Sequence, residues 1–213
     1  MKMRATQAAN RSLLQFGLFM AGLYALLFGL PAVFKDNGLP AVAALAATVV
    51  AGVFAVRPGW NLIPRRVDAG TLLVLAGILA SAVLAAMGLV LLGIATPYDK
   101  LQLNLLAVMP LMLAITGIEE LLFRQLAYRW LEQRQVPGRA IMLATAVAWA
   151  GGHAGGALTP GYTMLFVLLQ SLFLIWIGVL LGKLRRRSGS WPVAWLAHLA
   201  YNASFLYVSG LIR

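Results

Sequence analysis

The chain has 213 residues, of which 62% are hydrophobic and 11% charged, with a formal net charge of +11. A soluble domain carries about a quarter charged residues, so this composition reads as long apolar blocks placed in a bilayer, and not as a basic soluble face for nucleic acid. With no cysteine and only two histidines, His153 and His198, disulfides, thiolate catalysis and Cys-ligated metal centres are excluded, and an imidazole metal site is capped at two ligands.

Lys2, Arg4 and Arg11 precede an apolar stretch from Leu13 to Phe34. It is too long for the h-region of a signal peptide and lacks a clear small-x-small closing site, so it is expected to stay as a first helix. Further spans are predicted at 39–56, 70–95, 101–123, 139–153, 162–182 and 191–210, the fifth short and ended by glycines. Each is near the length of about 20 residues that crosses a bilayer. The fourth helix is expected to run past its apolar part to about Gln135, where Pro137-Gly138 stops it. The expected fold is therefore all-α, a polytopic membrane bundle of about seven transmembrane helices. It forms a single domain over 1–213, with three plain N-terminal helices within 13–95.

Sidedness follows from the basic residues. Lys2, Arg4 and Arg11 precede helix one, and Arg57, Arg65 and Arg66 lie between two and three. Arg124, Arg129, Arg134 and Arg139 lie between four and five, and Lys183, Arg185, Arg186 and Arg187 between six and seven. Only Lys35, Lys100 and Arg213 fall on the other side. The positive-inside rule then puts the N-terminus in the cytoplasm and the C-terminus outside. The turn-rich loop Arg57–Arg66, with its Trp60, reads as a membrane-surface anchor.

Three of the later helices carry polar groups. Glu119 and Glu120, two of only six acidic residues, end an apolar run from Leu101 to Ile118. Glu120 and Arg124 are i, i+4 and share a face, whereas Glu119 is offset by about 100° and is free to face elsewhere. The plain alternative is a charge cluster snorkelling to the interface. Trp149 and His153 are again i, i+4, in a glycine-rich stretch that admits a close neighbour or ends the helix. His198 and Asn202 repeat the spacing near Trp191, Trp195 and Tyr201. Each pair alone is equally compatible with ordinary interhelical hydrogen bonding. Together, on separate helices of a membrane bundle, such groups face inward and find one another. A carboxylate, two imidazoles and an amide form a workable hydrolytic set: the carboxylate takes a proton from water and the donors stabilise an oxyanion.

These residues resemble the CPBP family, the CAAX proteases and bacteriocin-processing enzymes also called Abi, marked by EExxxR, FxxxH and HxxxN or HxxxD on successive helices. Here they read Glu119-Glu120-Leu-Leu-Phe-Arg124, Trp149-Ala-Gly-Gly-His153 and His198-Leu-Ala-Tyr-Asn202, within a core spanning roughly 100–205. The resemblance implies an intramembrane glutamic protease working without cofactor or metal. Glu119 would activate water, His153 would assist, His198 and Asn202 would form the oxyanion site, and Glu120 with Arg124 would brace the helix. Trp149 departs from the usual Phe, and Gln125 stands where many members have Gly. The implied substrate is a membrane-anchored or lipidated protein or peptide, in a bacterial or archaeal cell membrane, with no nucleic acid partner. An aromatic pocket of Trp149, Phe123 and Trp195 would tolerate a lipid tail, although aromatics at those spacings are more often simply packing; the site is expected to open to the cytoplasm because the basic loops border that end.

Three other readings remain: a zinc metalloprotease using His153, His198 and a Glu, although no HExxH is present; a membrane immunity or scaffold protein whose polar cluster only locks helices; and a proton-coupled transporter, against which stands the absence of repeated halves.

Overall fold

The computed structural model describes residues 2–34, 62–94, 105–156 and 163–212. Among them every regular element is helical: α1 (Lys2–Phe34), α2 (Ala69–Leu91), α3 (Leu105–Glu120), a π-helical segment (Leu121–Ala127), α4 (Tyr128–Gln133), α5 (Gly138–Gly156), α6 (Met164–Ser188) and α7 (Trp191–Ile212). The expected second span, 39–56, lies outside the described residues.

Local chemistry sets the helix ends. Asp68 caps α2, its Oδ1 accepting from the Thr71 amide and the Thr71 hydroxyl, both at 2.8 Å. Thr163 caps α6 in the same way, taking the Phe166 amide at 3.2 Å. At the other end of α6, Gly189 adopts φ 70° and returns its N–H to the Arg185 carbonyl, the left-handed C-terminal stop that glycine makes without strain. Gln135, at φ 57°, precedes Pro137-Gly138 and ends the long fourth helix close to where the sequence placed its stop. Helix α5 runs through Gly151 and Gly152, three residues past the expected end, to Gly155-Gly156. Gly151 and Gly152 both abut the Tyr24 ring of α1, and a Cβ on Gly152 would meet that ring at 3.0 Å.

Helices α5 and α6 form the closest pair. A Cβ on Gly178 would lie 2.8 Å from the Ala146 Cβ and 2.9 Å from its Cα, so the backbones approach as small residues permit in membrane bundles. Beside an apolar core, large apolar side chains also cover the outside and several polar ones are enclosed. Leu73, Leu91, Leu168, Leu172 and Trp176 are more than half exposed, while Glu120, Arg124, Gln125 and His198 are buried.

Two of the described helices, Ala69–Leu91 and Met164–Ser188, are long and apolar enough to cross a membrane, against the seven expected. For two of the other expected spans the reasons are local. The π segment leaves α3 only 16 residues long, and α7 is diluted by Trp191, Trp195, His198, Tyr201 and Asn202.

Three basic connections gather at one end of the bundle. The Arg65 amide donates to the Ser188 carbonyl at 2.7 Å, and the Ser190 hydroxyl donates to the Leu62 carbonyl at 2.9 Å. Asp68 pairs with Arg66 at 3.0 Å and with Arg187 at 3.4 Å. Gly138 sits against the Arg186 guanidinium, and Glu132 lies 3.8 Å from Arg185. The starts of α2, α5 and α7 and the ends of α4 and α6 therefore share one face, the basic end.

Candidate active site

The polar residues of the three sequence motifs meet inside the bundle. Glu120 and Arg124 are both without solvent exposure and pair across one helical turn at 3.1 Å. The Arg124 guanidinium also donates from Nη2 to the Gly178 carbonyl at 3.3 Å and lies over the Trp149 ring, 5.0 Å from its centroid. The Arg124 carbonyl, within the π segment, accepts from Arg185 Nε at 3.1 Å. The widened π register begins directly after the acidic doublet, a position where such interruptions often mark functional sites.

Glu120 does more than hold its arginine. Its Oε1 also lies 3.0 Å from His198 Nδ1. A carboxylate oxygen accepts, so His198 carries a proton on Nδ1 and turns Nε2 the other way. On α5 the Trp149 carbonyl, 3.1 Å from His153 Nδ1, imposes the same tautomer on the second imidazole. Both Nε2 atoms then face Glu119, each at 3.9 Å, one toward Oε1 and the other toward Oε2. That spacing exceeds a direct hydrogen bond. It leaves the three groups converging on a common point.

Glu119 is anchored by a bond that a phenylalanine at position 149 could not make. Trp149 Nε1 donates to Glu119 Oε2 at 2.9 Å, whereas a Phe has no donor. The same indole stands edge-on to both imidazoles, with centroids 5.0 Å away in each case. Trp149 therefore contacts Glu119, Arg124, His153 and His198 directly, and Glu120 pairs with two of these partners.

Glu119, Trp149, His153, His198 and Asn202 line a cavity of about 490 Å³, within the usual size of a ligand site of about 300–1,000 Å³. The rest of the described lining is mostly apolar, including Leu84, Leu111, Phe166, Phe173, Tyr201 and Phe205. Of the three aromatics expected to form the pocket, only Trp149 is in this lining. Phe123 is buried outside it. The Trp195 ring turns to α3, donating to the Thr116 hydroxyl at 3.1 Å. The pocket's aromatic character comes instead from α6 and α7.

The expected opening beside the basic loops is also not what the packing gives. Between the polar cluster and the basic end, Leu131, Ile141, Ile177, Leu181 and Leu184 are buried together as one core. The cavity lies in the opposite half of the bundle.

Tyr24 of α1 is the residue that sequence reasoning missed. Its hydroxyl donates to the Ala148 carbonyl, and it stands within electrostatic reach of Glu119 and Arg124. No spacing or motif links residue 24 to residues 119–152. The paired glycines 151 and 152 were the available hint that another group comes close. Among the described residues no group of three His, Cys, Asp or Glu side chains is disposed to hold a metal ion.

Residues 101–204 match the family described as Rce1-like, type II CAAX prenyl endopeptidase. No curated protein and no solved structure matches the chain.

Proposed function

Residues 101–204 belong to the CAAX protease family, and from that premise we propose that the chain is an intramembrane endopeptidase in which Glu119 activates water. The proposal includes a multi-pass topology of about seven spans with a cytoplasmic N-terminus, resting on the alternation of basic connections.

The observation that carries the reading is the convergence of Glu119, His153 Nε2 and His198 Nε2, with 3.9 Å separations, at the polar end of an otherwise apolar cavity. In the proposed reaction, Glu119 takes a proton from water as its oxygen attacks the scissile carbonyl carbon. The oxyanion that forms accepts from protonated His198, with Asn202 beside it on the same face of α7. Collapse breaks the C–N bond, and the proton held by Glu119 passes to the departing amine. His153, on the opposite carboxylate oxygen, orients the water.

Glu120 acts on His198 as a buried carboxylate acts on a catalytic imidazole, holding it at Nδ1 so that Nε2 is turned toward Glu119 and the oxyanion. Arg124 offsets the charge of Glu120 when His198 is neutral. This gives the doublet unequal roles: Glu119 faces the cavity with 23% exposure, whereas Glu120 is fully enclosed.

Glu119→Gln tests the reading. Positioned general bases contribute about 10²–10⁴-fold to rate, so cleavage of membrane-protein substrates is expected to fall by at least that range while the melting temperature is unchanged. Full cleavage by a folded Glu119→Gln variant would refute it.

A further inference from the structure

We propose that the basic end of the bundle holds a phosphate-binding site, formed by Arg129, Arg185, Arg186 and the Tyr128 hydroxyl beside the start of α5. It is separate from the cavity of Glu119 and does not depend on the protease reading.

Charge at this end is not balanced by the protein's own carboxylates. Asp68 takes Arg66 and Arg187. Glu132 is the one other described acid there, and it reaches Arg185 Nη2 only at 3.8 Å, longer than a hydrogen bond. Arg129 and Arg186 have no carboxylate partner among the described residues. The Arg185 guanidinium stands within electrostatic reach of Arg129 and Arg65, and the Tyr128 hydroxyl within reach of Arg185 and Arg186. Four guanidinium groups therefore share one carboxylate.

The same cluster encloses donors without an acceptor. Arg185 Nη2, Arg129 Nε and the Tyr128 hydroxyl are all buried and make no hydrogen bond. The Arg185 side chain is only 6% exposed and Tyr128 only 1%. Arg185 is also fixed in place: its Nε donates to the Arg124 carbonyl at 3.1 Å, and its guanidinium lies 4.8 Å from the Tyr128 ring centroid. Buried donors are costly to leave unpaired, a cation most of all.

Helix α5 adds a field of the same sign. Gly138 opens this 19-residue helix. Pro137 before it gives its carbonyl to the Ile141 amide and has no side-chain acceptor for the first-turn amides. Those amides and the positive end of the helix dipole favour an anion. The Arg186 guanidinium nevertheless lies against them, close enough that a Cβ on Gly138 would meet its Cζ at 2.9 Å. A cation held at a helix N-terminus is unfavourable until an anion bridges the two.

The donor set selects the ligand. Guanidinium forks, a phenol hydroxyl and helix N-terminal amides match the several oxygens of a phosphate. The depth agrees, since Trp130, with the Arg134 guanidinium 3.7 Å from its ring centroid, is the kind of ring that sits at headgroup level. A basic pocket there suits the phosphate of an anionic phospholipid, and free phosphate offers the same chemistry.

Melting of the delipidated protein in dodecyl maltoside, read by tryptophan fluorescence, tests the site. One arm adds phosphatidylglycerol or, as its control, diacylglycerol; the other adds inorganic phosphate or chloride at equal ionic strength. A ligand that binds only the folded state raises the midpoint, by about 3–6 °C at ten times its dissociation constant. A rise with phosphatidylglycerol alone assigns a lipid headgroup, and a rise with both probes assigns any phosphate. Tyr128→Phe and Arg186→Gln should each remove most of the rise. Arg11→Gln, which deletes the same charge from exposed α1, should keep it. No rise in either arm overturns the proposal, as does a rise undiminished in Tyr128→Phe and Arg186→Gln, or one lost equally in Arg11→Gln.

Discussion

Replacing Arg124 with methionine removes a guanidinium while keeping a side chain of similar length, and so isolates the buried charge network. Arg124 and Glu120 have no solvent exposure and lie 3.1 Å apart. Without the arginine, Glu120 keeps only His198 as a charged partner, at 3.0 Å. Breaking a buried pair by removing one member costs about 3–5 kcal/mol, because the surviving charge is left uncompensated. For a chain of this length, where about 1 kcal/mol moves the midpoint by 2–4 °C, the melting temperature should drop by about 6–20 °C. Neutralising both members, in Glu120→Gln with Arg124→Met, removes the orphaned charge and should recover most of that loss. Activity should not return, because Glu120 also fixes His198, and loss of a carboxylate that orients a catalytic imidazole costs on the order of 10²-fold or more. Intrinsic tryptophan fluorescence of the detergent-solubilised protein reads the melt, with Trp149 stacked 5.0 Å from the Arg124 guanidinium, and cleavage assays read the rate. If the single and double variants melt within about 2 °C of each other, or the double variant cleaves at the native rate, the reasoning fails.

Trp149→Phe restores the residue usual in the motif but deletes the 2.9 Å bond to Glu119. The cleavage rate should fall by about 10–100-fold with KM unchanged, since loss of an orienting contact acts on the step it positions; a rise in KM alone would assign Trp149 to the pocket wall. Gly178→Ala drives a Cβ to within 2.9 Å of the Ala146 backbone, so α5 and α6 must separate, at a cost of about 1–3 kcal/mol read as a lower melting temperature. Asp68 is held at a pKa of about 2, first by the Thr71 hydroxyl and amide and then by Arg187 and Arg66. Because the folded value is depressed, its stabilisation is complete above about pH 4 and disappears as pH falls toward 2. The melting difference between wild type and Asp68→Ala should therefore be present at pH 5 and close by pH 2; a constant gap would point to packing instead.

Much of the site was legible because its spacing is local. Glu120 with Arg124, Trp149 with His153 and His198 with Asn202 are each one helical turn apart, and any helix brings such residues onto one face. The assignment of Glu120 to its arginine needed nothing more, and the structure keeps that pair. The pocket's aromatic wall was not legible, since Phe123 and Trp195 are as aromatic as Phe173 and Phe205. Only the rotation of each helix about its axis turns two of them away from the cavity and two into it. Where the cavity lies along the bundle was not legible for a related reason: proximity in sequence to basic loops says nothing about where large side chains leave space.

What the sequence determined by itself was the all-helical character, the sidedness of its basic connections and the three polar faces, all properties of composition and of a 3.6-residue period. The tertiary structure alone decided that Glu120 serves His198 as well as Arg124, that Trp149 holds Glu119, and that Tyr24 reaches the site from α1 across 124 residues. Those contacts join different helices, and their geometry depends on how closely Gly152 and Gly178 let neighbouring backbones and rings approach. Local periodicity fixes which face a residue occupies, and packing between helices fixes what that face meets.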